Sequence, residues 1–244
     1  MINSTQTVGE LVVKHPQLRS RLEKFGIDYC CGGKQTLAEA VKALGLEQSS
    51  VLEELKSALA EESQETVQTD WSKVSATKLI EHILDKHHAF MKEQLPRLDE
   101  LFRKVQNAHA EKHGKMLEAL YRDFTEIKEE VEPHLMKEEQ ILFPGIEAID
   151  RYLAGSGSFP RLHCGSVANP IQQMEYEHEH VGRALERMRQ NSAEYQLPAD
   201  ACEAFKALYD GLQAIEADLH EHIHLENNIL FPQSIDMETS INAG

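Results

Sequence analysis

Two stretches of the chain carry the same pattern of ionisable and apolar side chains. Residues 134–144, HLMKEEQILFP, and residues 222–232, HIHLENNILFP, share the form H-x3-E-x2-I-L-F-P at a separation of 88 residues. A histidine and a glutamate at i and i+4 lie about 6 Å apart along a helix axis, on the same face. Ile141 and Ile229 stand at i+7 and continue that face with apolar surface, so each His-Glu pair is expected to point into the protein. Burying such a pair uncompensated costs on the order of several kcal/mol. A second echo lies upstream: Leu84, His88, Met91, Leu95 and Leu98 share their spacing with Met174, His178, Val181, Leu185 and Met188, 90 residues on. Both sets follow one helix face. The symmetric donors are therefore four histidines, His88, His134, His178 and His222, and two carboxylates, Glu138 and Glu226.

Two metal ions would compensate this set. If each carboxylate bridges, each ion receives two nitrogens and two oxygens, and an oxo or hydroxo bridge adds a fifth donor. An ion that prefers about six donors then keeps roughly one position open to a small ligand. Mixed nitrogen and oxygen ligation favours iron or manganese over calcium or magnesium, and zinc usually takes fewer donors. The remaining histidines fit less well. His87 continues the stripe of Ile80 and Ile83 and competes with its neighbour His88. His220 and His224, with Glu221, imitate a Glu-x-x-His ligand motif, as do Glu175 with His178 and Glu177 with His180, but further Glu-bearing helices in register are not apparent. His109 and His113 fall in the polar stretch NAHAEKHGK and read as surface residues, and Cys202 reads as core.

The elements that must position the donors follow from the repeat. Each half is a helical hairpin, one helix with a single inward histidine and one with an inward His-Glu pair, and two halves make a four-helix bundle with approximate two-fold symmetry. Residues 155–170, rich in Gly, Ser and Pro and containing His163 and Cys164, join the halves as a loop. Ahead of the bundle, short helical patterns surround Leu11, Leu18 and Leu22, then Leu37, Val41 and Leu44, then Val51 to Leu59. The polar run AEESQETVQTD then places a boundary near residue 65, giving a small helical N-terminal domain over 1–65 and the bundle over 66–244. In the small domain Cys30 and Cys31 precede two glycines. They read either as a partly exposed thiol pair able to accept sulfur, nitric oxide or iron, or as buried structural cysteines. For a mobile reactive pair, Lys34 and a helix start at about Thr36 are expected to lower the thiol pKa.

Composition narrows the partners. Helix-favouring Ala, Leu, Glu and Lys recur while aromatics are only 6%, so the fold class is all-α. A formal net charge of -16 argues against nucleic acid and anionic membrane surfaces as main targets. The opening MINSTQTVGELVVKHPQ does not read as a signal peptide, and no apolar run has membrane-spanning length, so a cytoplasmic location with reduced thiols is expected. Phosphate-cradling glycine loops, a nucleophile elbow and flavin or nicotinamide motifs are not found.

The sequence DYCCGGKQTL at 28–37, the two H-x3-E stretches and Glu177-His178 resemble the RIC family (repair of iron centres), whose members join a small Cys-containing helical domain to a hemerythrin-like bundle. The resemblance implies a non-haem di-iron centre on the same four histidines and two bridging glutamates. It implies repair of iron-sulfur clusters damaged by nitrosative or oxidative stress, with iron donation as one route, and with damaged iron-sulfur proteins and diatomic ligands such as nitric oxide or oxygen as partners of a monomer or homodimer. A nitric oxide reductase-type enzyme, which would need an external reductant, and a non-turnover oxygen or nitric oxide sensor are the alternatives.

Overall fold

The computed structural model describes residues 2–61, 69–160 and 165–242. The boundary expected near residue 65 and the loop residues His163 and Cys164 lie outside the described residues. The described chain is helical, with one isolated bridge between Thr7 and Thr36. It divides into two compact units, Met1–Leu79 with His220–Gly244, and Ile80–Leu219.

In the first unit, four helices occupy the N-terminal part: α1 (Val8–Lys14), α2 (Arg19–Lys24), α3 (Leu37–Ala43) and α4 (Gln48–Glu61). The Thr7–Thr36 bridge couples two of them, because each threonine is also the N-cap of a helix. Thr7 caps α1 with Glu10, and Thr36 caps α3 with Glu39, each as a reciprocal capping box. Both helices thus start from one shared point. Leu11, Leu18, Leu22, Leu37 and Leu55 are fully buried around it, as the apolar spacing requires. After α5 (Ala76–His82), whose last residue-triplet begins the second unit, the first unit resumes at the chain's other end with the close of α9 (Glu203–Leu225) and with α10 (Phe231–Asn242).

The second unit is the four-helix bundle. α6 (Ala89–Lys137) is helical throughout, with Pro96 and Pro133 inside it, although a straight helix of this length would hold its ends roughly 70 Å apart. Instead the run folds back on itself: Tyr121 donates to Asp99 at 2.8 Å, Phe102 stacks on Phe124 at 5.0 Å, and His88 meets Glu139 at 2.8 Å. The polar stretch read as a connection is therefore helical in hydrogen bonding, yet it is where the two arms of α6 reverse. After α7 (Phe143–Leu153), α8 (Ala168–Asn191) and residues 203–219 of α9 complete the bundle. Polar contacts tie the neighbours together: Arg187 to Asp123 at 3.3 Å, Arg189 to Glu216 at 2.7 Å, and His87 to Asp218 at 2.9 Å.

The turn after α8 is strained. Ala193, Glu194 and Tyr195 have φ of 52°, 56° and 57°, three successive left-handed residues without a glycine. Each costs about 1–2 kcal/mol, and the turn is held by Tyr195, which donates its hydroxyl to Glu216 at 2.7 Å and its backbone N–H to Ser192 at 3.1 Å. Ala193→Gly is expected to raise the melting temperature by about 2 °C, because relief of strain exceeds the added freedom of the unfolded chain. Thermal unfolding followed by circular dichroism checks this, and a lower melting temperature would remove the strain from the account.

Candidate metal centre

Three helical segments widen into π-helical turns at donor residues. Ile83–His88 ends on His88, Glu138–Leu142 begins on Glu138, and Glu226–Leu230 begins on Glu226. Such turns carry one extra residue and recur at functional sites. For the last two the sequence supplies a reason. Pro144 and Pro232 have no N–H to give the carbonyl four residues back, so the regular ladder is broken just after each H-x3-E pair. The extra residue also corrects one expectation. Ile141, read as continuing the inward face, is 54% exposed, and Leu142 at 1% takes the inward place, because the wide turn advances the face by a residue. His134 and Glu138 precede that shift and remain inside, at 5% and 0% exposure.

Within the bundle unit, Glu138 stands between two imidazoles. His88 Nε2 lies 3.3 Å from its Oε2, and His134 Nε2 lies 3.3 Å from its Oε1. His178 Nε2 is 3.1 Å from His134 Nε2, so three of the predicted histidines converge on one buried carboxylate. His87 turns away and donates Nδ1–H to Asp218. Two further carboxylates orient the rings, and the spacing argument missed both. Glu139 accepts from His88 Nδ1 at 2.8 Å and from Lys92 at 2.6 Å. Glu177 accepts from His134 Nδ1 at 2.8 Å, from Gln173 at 2.9 Å, and from Lys137. Burial raises the Glu177 pKa, but the hydrogen bonds from His134, Lys137 and Gln173 outweigh it and hold the carboxyl at about 2. The only signal for these two residues was adjacency: each stands beside a ligand candidate in sequence. With Nδ1–H committed to a carboxylate, Nε2 of His88 and of His134 presents a lone pair toward Glu138. A lone pair facing a carboxylate is an arrangement that a cation relieves, and a set of nitrogens around a carboxylate suits iron.

The other predicted pair lies in the first unit. His222 Nε2 and Glu226 Oε1 are 2.9 Å apart, and both residues are buried. The residues after Glu226 carry the Cys turn. Asn227 donates to the Cys30 carbonyl at 3.4 Å, and Asn228 donates to the Tyr29 carbonyl at 3.3 Å. Glycine is required at Gly33, where a Cβ would stand 2.8 Å from the Tyr29 carbonyl oxygen. His224 packs edge-on to Tyr29 at 5.5 Å. Burial first, then the charge of Arg19, lowers its pKa to about 4, so at neutral pH it is an uncharged packing group. Glu221, its partner in the Glu-x-x-His imitation, pairs with Arg19 at 2.8 Å.

Cys30 is buried and Cys31 half-buried, both as free thiols. Asp28 ties the turn, accepting from the N–H groups of Cys30 at 2.9 Å, Cys31 at 3.0 Å and Gly32 at 2.8 Å. One expectation is corrected. The Cys30 thiol is pushed up in pKa, not down, by its contact with Cys31, by burial and by the Asp28 carboxylate. The turn is bonded to Asn227 and Asn228 within its own unit. Cys202, read as core, is exposed.

Known proteins agree with this architecture. Residues 79–234 match the family described as Hemerythrin HHE cation binding domain, and residues 4–59 match ScdA_N, a Domain of Unknown function (DUF542). The iron-sulfur cluster repair protein YtfE of Escherichia coli O157:H7 is 37% identical over 230 residues, which cover 94% of this chain and 96% of that protein. Those of Enterobacter sp. (strain 638) and Shigella boydii serotype 4 (strain Sb227) are 37% and 36% identical over the same shares. The chain belongs to the YtfE family of iron-sulfur cluster repair proteins. The family expected from DYCCGGKQTL and the repeated H-x3-E stretches, and the all-α bundle with a small helical N-terminal part, are thereby borne out. Among the described residues of this YtfE-family chain, buried His and Glu clusters could hold a metal ion, and no helix is long and apolar enough to cross a membrane.

Proposed function

We propose that the protein repairs iron-sulfur clusters damaged by nitric oxide or peroxide, in the cytoplasm, and that it does so from a pair of non-haem irons. By the symmetry of the two repeats, His88, His134, His178 and His222 with Glu138 and Glu226 would hold the ions, each carboxylate serving both. The observation that carries this reading is the buried Glu138 carboxylate with an imidazole Nε2 at 3.3 Å from each oxygen. Support comes also from the sequence symmetry, which supplies Glu226 as the counterpart of Glu138, and from the iron-sulfur cluster repair function of the YtfE relatives. When bound, the irons supply open coordination positions and a store of releasable iron. The chain's own part is to hold neutral imidazoles by their Nδ1–H groups, to keep water from Glu138, and to fix the orientation of each ring through Glu139 and Glu177.

The test is anaerobic. Protein as isolated is assayed for iron and by Mössbauer spectroscopy, then mixed with an iron-sulfur enzyme inactivated by nitric oxide. About two irons per chain in a coupled pair and recovery of the enzyme without added iron are expected; one iron, or no recovery, would overturn the reading. Glu177→Gln, which leaves the His134 ring less firmly oriented, is expected to release iron to a chelator roughly 10–100 times more readily. An unchanged release would show that Glu177 does not support the metal.

A further inference from the structure

The end of the bundle where α6 reverses gathers donors that the iron centre does not use. His109 and His113 stand one turn apart, and Asp200 and Cys202 lie in the segment before α9. His113 Nε2 is 2.8 Å from Asp200 Oδ1, His109 Nε2 is 3.2 Å from Cys202 Sγ, and donor atoms of His109, His113 and Asp200 lie within 4.8 Å of one another. Lys112 takes the other Asp200 oxygen at 3.0 Å, which leaves Oδ1 turned to the imidazoles. Both rings stand edge-on to the buried Phe205, at 5.2 and 6.0 Å, so they are packed in place and do not trail in solvent.

We propose that His109, His113, Asp200 and Cys202 form a zinc(II) site, distinct from the iron ligands. Two nitrogens, one carboxylate oxygen and one sulfur are a donor set that zinc takes in tetrahedral geometry. Zinc bonds of about 2.0–2.3 Å set tetrahedral donors roughly 3.3–3.6 Å apart, so those two contacts would open by about half an ångström, while Cys202 Sγ, which stands outside the cluster formed by His109, His113 and Asp200, would move in toward them. Binding involves no electron transfer: the Cys202 thiol gives its proton to solvent, and thiolate and carboxylate together neutralise the ion's two charges. The site lies about 30 Å of helix from His88, in the same unit. Its effect is mechanical. The ion clips the segment between α8 and α9, which begins with the left-handed turn at 193–195, to the reversal of α6.

Iron-loaded full-length protein is titrated with zinc(II) against a chromophoric chelator, and separately with cobalt(II) as a spectroscopic probe. One further ion per chain is expected, with cobalt showing tetrahedral d–d bands and a sulfur-to-cobalt charge-transfer band. His109→Ala and His113→Ala are expected to weaken binding roughly 100-fold, and Cys202→Ser to abolish the charge-transfer band, all with unchanged iron content. Zinc is expected to raise the melting temperature of the wild type and not of His113→Ala. Wild-type affinity in both histidine variants, an octahedral cobalt spectrum, or the absence of a further ion would each overturn the proposal. Because iron is measured in the same samples, failure here is separable from failure of the iron centre.

Discussion

Glu138→Ala is expected to strip the purified protein of most of its iron, whereas His113→Ala retains it. Under the proposed ligation Glu138 donates to both ions, so its loss removes one donor from each at once. A second consequence separates ligation from a general structural role. Bound iron stabilises the native state by mass action, about 2.7 kcal/mol when free ligand is a hundred times its dissociation constant. Iron-loaded wild type should therefore melt well above the variant. Stripped of iron, the gap should close, because the stabilisation that bound iron gives the wild type is then gone. Metal analysis and melting curves with and without iron read both effects. Equal iron in variant and wild type would end the assignment of Glu138 as a ligand, and Glu226→Ala extends the same comparison to the second repeat.

The double change Cys30→Ser with Cys31→Ser is expected to leave iron content normal and to reduce reactivation of a nitric-oxide-damaged enzyme several-fold. Serine is suited to this test because the turn is held through backbone groups: Asp28 accepts three N–H bonds, and Asn227 and Asn228 donate to carbonyls, none of which involves sulfur. The variant should therefore fold. In the structure Cys31, burial and Asp28 push the Cys30 thiol up in pKa, so Cys30 is not a standing thiolate. Its chemistry would begin when an arriving soft ion or nitrosyl displaces the proton. Full reactivation by the variant would make the pair structural, and loss of iron would tie the thiols to the metal centre.

The sequence carried the parts of this architecture that are local. A spacing of four survives in any helix, so His134 with Glu138 and His222 with Glu226 were legible as inward pairs, and Met174, His178, Val181, Leu185 and Met188 are all buried as their period requires. Thr36 caps α3 where a helix start was expected. What failed lies where spacing is not conserved along the helix or where the partner is remote. The wide turn at Glu138–Leu142 moved Ile141 outward, and periodicity assumes a constant pitch. Asn227 and Cys30 meet across nearly the whole chain, with no local pattern to announce it. Glu139 and Glu177 act through the rings of histidines on other segments, and in so acidic a chain their type alone marks nothing. Cys202 lies just before α9, where the helical period that suggested a core position does not reach.

The wide turns also bear on transplanting the centre into a designed protein. In the segment from His134 to Ile149 the donors and the apolar anchors Phe143, Ile146 and Ile149 belong to two helical phases separated by one residue. A designer who copied the side chains onto straight helices could satisfy the donors or the anchors, and one set would be turned by about 100° from its place. Deleting Gln140 would have the opposite effect in the natural chain: it removes the extra residue, so a straight helix would carry donors and anchors in one phase. The scaffold to copy is thus a helix with an extra residue at a defined point, and a proline six positions after each glutamate is the inexpensive instruction that specifies where it goes.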